Sequence, residues 1–225
     1  MTGVQTCALP IYHLIKNIAL KNKVKLINAQ SEKGKLLDIG AGTGDFLVVA
    51  RNDGWQTTGI EPSAKAKSIA INKGVNFANN LSDLENHSFD VITMWHVLEH
   101  VPNLDEYIFE LKRLIKPTGT ILIAVPNFKS FDANYYGRFW AAFDAPRHIW
   151  HFSKIAIDKL FAEKGMKLVE VLPMKFDSFY VSLLSEKYKT GKMNFIRAFF
   201  VGLKSNLNGK QTKEFSSHIY IIKNH

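Results

Sequence analysis

A single cysteine, Cys7, occurs in 225 residues. One thiol cannot close a disulfide framework, and there is no set of thiolates from which to build a zinc site. This scarcity fits a cytoplasmic protein. No apolar run reaches the roughly 18 residues that a membrane-spanning helix needs. Acids are the scarcer charge, 20 Asp and Glu against 29 Lys and Arg, for a formal net charge of +9. The imbalance is local: eight Lys/Arg stand against two Glu from Tyr180 onward, and six Lys against one Glu from Tyr12 to Lys35. Such an excess points to an acidic partner, a phosphorylated substrate or a membrane surface, although a solvated face explains it as well. No internal repeat or low-complexity tract is present, which excludes solenoids and compositionally biased chains. With 46% hydrophobic residues the chain can bury a sizeable core, and its length suits one α/β domain with insertions.

The first eleven residues stand apart. The stretch TGVQTCALPI, Thr2 to Ile11, resembles the in-frame translation of a common sequencing adapter and lacks the charged n-region of a secretory signal. It is expected to be foreign to the protein. Cys7 is then not native, the natural chain starts upstream of Tyr12, and residues 12–225 form a single domain.

Strand and helix signals alternate. Leu14, Ile15, Ile18 and Leu26 give helical period to Tyr12–Asn28, and Lys35–Gly40 is a short apolar run ending in glycine. A helix is expected over 45–52, stopping at Gly54, and a strand over 56–61. Ser63 can cap a helix to about Asn72, with Gly74 as its stop. Strands are expected over 75–78, 89–95 and 120–125, with a helix over 103–115 closed by Lys116-Pro117-Thr118-Gly119. Continuous apolar strands alternating with helices indicate a doubly wound, mostly parallel sheet covered on both faces.

Candidate chemistry gathers at the end of the first strand, in Leu37-Asp38-Ile39-Gly40-Ala41-Gly42-Thr43-Gly44-Asp45. Alternating glycines allow a tight turn and close approach of a ligand, which the next helix meets with its N-terminal N–H groups. The dinucleotide pattern G-x-G-x-x-G is not met, because Asp45 occupies its third glycine position and Gly44 comes one residue early. Asp38 would oppose a pyrophosphate but suits a ligand bearing an ammonium and a sulfonium. Glu61, about 20 residues beyond the loop, is placed to accept hydrogen bonds from ribose hydroxyls. A helix N-terminal carboxylate stabilised by the macrodipole is the other reading, and both can hold at once.

These segments resemble the glycine motif and the acidic second motif (Gly59-Ile60-Glu61-Pro62) of class I S-adenosylmethionine-dependent methyltransferases. Phe89 to Val101, with Trp95-His96-Val97-Leu98-Glu99-His100, resembles the fourth-strand motif of the branch that includes ubiquinone-biosynthesis O-methyltransferases. Leu114 to Thr120 resembles the turn before the fifth strand, and the likeness covers about Leu36 to Val171. It implies a seven-stranded Rossmann-like sheet and S-adenosylmethionine as the cofactor. It also implies Asp38 near the cofactor's amino group, and Gly40, Ala41, Gly42 and Gly44 along its methionine portion. Glu61, in its motif with Pro62, would hold the ribose, Asn80 and Leu81 would flank the adenine, and Trp95 and His96 would border the methyl group. The family often has Asp where Asn79-Asn80 stand here. No metal is implied.

The reaction so implied is an in-line displacement that the protein promotes mainly by alignment. A hydroxyl acceptor needs a base, for which His96, His100, His148 and His151 are candidates and His148 and His96 the leading ones. The aromatic stretch 127–151 reads as a lid or substrate wall, or as a satellite core. Lys167–Met174 and His218–Ile222 read as the last two strands, which the family usually joins directly. Here a helical insertion, 175–217, separates them, with apolar helix faces split at Thr190-Gly191. It is either a cap packed on the sheet or on a second subunit, or a basic, aromatic surface that meets a lipid-like substrate or makes peripheral contact with an anionic membrane. The expected acceptor is a small molecule or lipid-like compound, methylated at oxygen, in a cytoplasmic or membrane-associated protein of undefined oligomeric state. A nucleic-acid methyltransferase is disfavoured by the lack of a basic RNA-binding module and of an Asn/Asp-Pro-Pro-aromatic sequence. A silent cofactor-binding protein is disfavoured by the intact loop, and a nicotinamide oxidoreductase by Asp38 and Asp45.

Overall fold

The structure, a computed structural model, describes residues 5–225, with side chains from residue 15. The first residues of the adapter-like segment, 1–4, therefore lie outside the described residues. The chain forms eight α-helices and six strands among the described residues: α1 (Gln5–Asn28), β1 (Lys35–Ile39), α2 (Asp45–Asn52), β2 (Gln56–Ile60), α3 (Ala64–Ile71), β3 (Phe89–Trp95), α4 (Leu104–Leu114), β4 (Ile115–Pro126), α5 (Phe131–Tyr136), α6 (Lys154–Ala162), β5 (Met166–Pro173), α7 (Asp177–Thr190), α8 (Phe195–Thr212) and β6 (Ser217–Asn224). The sheet order is β2-β1-β3-β4-β6-β5. β1 and β2 are parallel, with Asp38 beside Gly59, and β5 and β6 are antiparallel, with Leu172 beside Ile219. The order reverses beside β1, and in such sheets ligands bind at the strands' carboxyl ends, where a crevice opens.

The chain divides into two compact units, residues up to 93 with 114–120, and residues 94–113 with 121–225. In the first, Leu36, Leu37 and Ile39 of β1 are buried, as are Phe46, Leu47 and Ala50 of α2 and Val24 and Ile27 of α1. Asp45, the first residue of α2, is clamped by Lys16 at 2.7 Å and Lys73 at 2.9 Å and accepts from the Thr43 hydroxyl at 2.7 Å. These partners outweigh its partial burial and hold its carboxyl down at about 2. Ser63 caps α3 through the Ala66 N–H, as its sequence position implies.

Two sequence-based expectations change here. The expected seventh strand, 75–78, is only an isolated bridge between Gly59 and Phe77. Gly59 N–H donates to Asn76 O at 2.8 Å, and Gly59 O accepts from Ala78 N–H at 3.0 Å. Turns at Gly74 and at Asn80, whose N–H donates to Asp83, leave no room for a longer ladder, so the sheet has six strands. The expected turn 116–119 is instead extended, and α4 runs straight into β4. Ser88 N–H donates to Leu114 O at 3.0 Å, and Lys116 pairs with Asp90 at 2.7 Å. These tie the segment along the start of β3.

In the second unit, Ile121–Val125 of β4 and Ile219–Ile222 of the neighbouring β6 are buried, as are Ile157 and Phe161 of α6. The stretch after β4 is not an open loop. Ser130 caps α5, and two short 3₁₀ turns follow at Gly137–Phe139 and Ala141–Phe143. Ala133, Tyr136 and Trp140 pack with Val181 of α7 and Val201 of α8, and Phe128, Phe131 and Phe143 lie against this cluster. This packing is what the satellite-core reading of the aromatics requires. At its centre the buried Asp132 accepts from Trp140 Nε1 (2.8 Å), Ser205 Oγ (2.6 Å) and Ser216 Oγ (2.7 Å).

Candidate active site

In the first unit a loop and two carboxylates form a cradle at the carboxyl end of β1. Gly40 and Ala41 N–H both donate to Ile60 O, at 2.8 and 3.0 Å, so the loop is pinned to β2. Gly42 has φ +54, and a Cβ there would meet nothing within 4 Å: the backbone faces open space. Gly44 has φ +74, and a Cβ would lie 2.8 Å from that of Ala70, so only glycine fits the joint between loop and α2. Glu61 is fixed by two backbone donors, Gly42 N–H on Oε2 at 2.7 Å and Ser63 N–H on Oε1 at 2.8 Å. Pro62, which follows, and Asn80 are exposed, and Leu81 is half-buried.

Asp38 is buried, and Thr93 Oγ1 donates to its Oδ1 at 2.6 Å. Burial pushes its carboxyl up to about 7. The Thr93 bond and Lys23 resist the rise, and the Glu61 charge adds to it. A buried acid poised near neutrality is completed by a cation. An ammonium beside Asp38, ribose hydroxyls on Glu61 and a chain along the open backbone at Gly42 fit S-adenosylmethionine, whereas a pyrophosphate would meet two acids.

The pH consequence has a definite sign. The folded-state value of Asp38 lies above the unfolded carboxylate's ordinary value of about 3.9, so the native state holds the extra proton between the two. Asp38 therefore erodes stability as pH rises through that window, with the full cost above about 7. An ammonium ligand reverses this by favouring the carboxylate. Below pH 7, S-adenosylhomocysteine should bind with proton release and tighten as pH rises, levelling off above neutrality. Calorimetry in buffers of different ionisation enthalpy measures this, and Asp38→Asn should abolish the proton release. A pH-independent affinity would contradict the assignment.

In the second unit the end of β3 and the segment after the 3₁₀ turns form a histidine–carboxylate cluster. Trp95 is half-buried. His96 follows it in the left-handed region at φ 58, a conformation uncommon for a non-glycine residue, and its N–H donates to Ala124 O at 2.9 Å. Its ring spans two carboxylates, with Nε2 at 2.8 Å from Asp177 and Nδ1 at 3.3 Å from Glu99. The surrounding protein would depress its pKa, but Asp177 first and then Glu99 overcome this and push it up to about 10. His96 is thus a cation at neutral pH and cannot take a proton there.

His148 is the opposite case. Its Nδ1–H donates to Ala142 O at 2.8 Å, which fixes the tautomer with the lone pair on Nε2. Burial is the main cause holding its pKa below the ordinary 6.5, partly offset by the Ala142 bond and the Glu99 charge. Nε2 lies 4.0 Å from Glu99 Oε1. His100 packs edge-on against His148 at 4.6 Å between centroids, and its Nδ1–H donates to Arg147 O at 2.8 Å. His151 stands farther off, 6.5 Å from His148, against Phe143. Glu99, His100 and His148 each offer a ligand atom, all within 4.8 Å of one another.

Within each unit, then, the structure joins residues the sequence singled out: Asp38, the glycines and Glu61 in one, and His96, His100 and His148 in the other. Sequence reading missed Glu99 and Asp177 as members. Glu99 carried a signal, since an acid between apolar residues is costly to bury unless partnered. Asp177 carried none beyond its place at a helix start.

The fold and the matching family pattern define the class as an α/β methyltransferase. The sequence pattern of the methyltransferase-domain family matches residues 13–171, and the chain belongs to that family. It is 31% identical over 102 residues to a ubiquinone biosynthesis O-methyltransferase of Sodalis glossinidius, covering 41% of each chain. It is 26% identical over 159 residues to one from Azoarcus sp., covering 64% of this chain and 68% of that one. The chain thus spans about two-fifths of the length of the first of these relatives. A solved S-adenosylmethionine-dependent methyltransferase from Thermotoga maritima superposes with a TM-score of 0.65 at 18% identity, covering 97% of this chain and 95% of the other, a likeness of fold.

Proposed function

We propose that this chain transfers a methyl group from S-adenosylmethionine to a hydroxyl oxygen of a small-molecule or lipid-like acceptor, with His148 as the general base. The observation that carries the reading is the neutral, tautomerically fixed imidazole of His148 beside the buried Glu99. The names of the relatives support oxygen as the acceptor atom.

S-adenosylmethionine, when bound, supplies the electrophilic methyl. Asp38 would hold its ammonium, Glu61 its ribose, Gly40, Ala41, Gly42 and Gly44 its methionine chain, and Asn80 and Leu81 its adenine, with Pro62 shaping the turn after Glu61. Trp95 and His96 would border the methyl group. His148 Nε2 takes the hydroxyl proton as the oxygen becomes nucleophilic, and Glu99 stabilises the resulting imidazolium. His96, already cationic, positions Glu99 rather than serving as base. The setting is cytoplasmic, with peripheral membrane contact through 175–217. Among the described residues no helix is long and apolar enough to cross a membrane.

Turnover of labelled S-adenosylmethionine against a cell extract fractionated into lipid, nucleic acid, protein and small molecules tests the acceptor class. Label in the lipid or small-molecule fraction is the expected result, and label in nucleic acid would overturn it. The Glu99–His100–His148 cluster also favours a second reading, in which a divalent cation rather than His148 lowers the hydroxyl's pKa. Activity that survives chelation supports the base, and activity lost to chelation and restored by one added cation supports the metal.

Glu61 gives a separate test. Loss of a charged acceptor for the ribose costs about 1.5–3 kcal/mol, or roughly 10- to 100-fold in affinity. Glu61→Ala should weaken S-adenosylhomocysteine binding by that factor while the protein stays folded. An unchanged dissociation constant would remove the ribose role.

A further inference from the structure

The α7–α8 hairpin is turned inside out. α8 buries small residues, Ala198, Val201, Gly202, Ser205 and Gly209. A Cβ on Gly202 would lie 2.8 Å from the Phe179 ring, so the two helices meet at close range through that small face. The large apolar side chains point the other way. Ile196 is 74% exposed and Phe195 66%, and Phe199, Phe200, Leu203 and Leu207 extend the same exposed stripe along the helix. α7 buries Ser178, Val181, Ser182, Ser185 and Glu186 while Tyr180 and Tyr188 are exposed. A helix packed as an ordinary cap does the reverse, burying its large apolar residues. The cap reading accounts for the small face and leaves the stripe without an occupant.

Charge identifies the occupant. Lys187, Lys189, Lys192, Arg197, Lys204 and Lys210 accompany the stripe and the turn at its tip, all exposed, and no acid occurs from 187 to 213. A second copy meeting the stripe through two-fold symmetry would set these cations against themselves. Aromatic and aliphatic side chains on one face with flanking cations suit the interface of an anionic bilayer. The segment lies beyond the family's matched span, which ends at 171.

We infer that the α7–α8 hairpin docks the protein on an anionic lipid surface, with Phe195, Ile196, Phe199 and Phe200 entering the interface and the lysines meeting the headgroups. The inference rests on the reading above for its membrane setting and deepens it by naming the partner. Its test contains no methyl acceptor, so failure of one is distinguishable from failure of the other.

The full chain is sedimented with phosphatidylcholine vesicles and with mixed phosphatidylcholine–phosphatidylglycerol vesicles. Binding to the mixed vesicles is expected to be at least about tenfold tighter and to weaken with salt. Phe199→Ser/Phe200→Ser should abolish it, and Lys192→Glu/Lys210→Glu should remove the preference for phosphatidylglycerol, both variants binding S-adenosylhomocysteine as the parent does. No binding to the mixed vesicles, equal binding to both kinds, or binding retained by the Phe variant would each overturn the inference. So would light scattering that finds a dimer which the Phe variant dissociates, with no vesicle binding, because a second copy would then cover the stripe.

Discussion

His148→Gln is expected to lower kcat by about 10²–10⁴-fold, the contribution of a well-placed general base, with the melting temperature nearly unchanged. Glutamine can still donate to Ala142 O, the hydrogen bond that orients His148, so local structure is retained while the basic nitrogen is lost. The pH profile separates a base from a packing residue. His148 titrates below its ordinary 6.5, so the rate should fall on an acidic limb below that value and be flat through neutrality. In His148→Gln the limb should vanish along with most of the rate. His96 cannot replace it, because Asp177 and Glu99 keep that ring protonated up to about pH 10. Full activity in a folded His148→Gln protein would end the assignment. A loss of melting temperature matching the loss of rate would return His148 to the core.

Trp140→Ala should cost about 3–5 kcal/mol of stability, the range for truncating a large buried aromatic. Trp140 is almost wholly buried in the cluster joining α5, α7 and α8, and its Nε1–H is one of three donors to the buried Asp132. The substitution therefore opens a cavity and takes a partner from a buried carboxylate, which adds to the cost. Chemical denaturation measures it as a shift of the midpoint with little change of slope. Trp140→Phe, which keeps most of the volume and loses the hydrogen bond, should fall between the parent and Trp140→Ala. A cost below 1 kcal/mol for Trp140→Ala would mean that the aromatic stretch is a mobile lid rather than a satellite core.

The sequence by itself determined the parts whose physics is local. Glycine at 42 and 44 is demanded by backbone angles that other residues rarely adopt, and Ser63 announces the start of α3. Thr190-Gly191 announces the break between α7 and α8, because Gly191 takes the left-handed cap. Glu61 was legible as a candidate for the ribose because it follows the loop at a fixed distance set by one strand, one helix and the next strand, and the structure places it against the Gly42 N–H. The strand count was less legible, since 75–78 pairs only around Gly59. Whether a short segment forms a ladder depends on its neighbour rather than on its own residues.

Tertiary structure alone decided the protonation states. Asp38 reads as an ordinary acid, but burial moves it to near neutrality. His96 and His148 read as equivalent candidates, yet Asp177, far along the chain, charges the first, while burial lowers the pKa of the second and Ala142 O fixes its tautomer. The insertion was the same kind of case. The sequence showed apolar faces among lysines, but the close approach of α7 and α8 at Gly202 fixed the small face inward and left the aromatic face out. Turns, caps and loops are set by a residue and its chain neighbours, whereas charge and exposure depend on which distant groups the fold brings within a few ångströms.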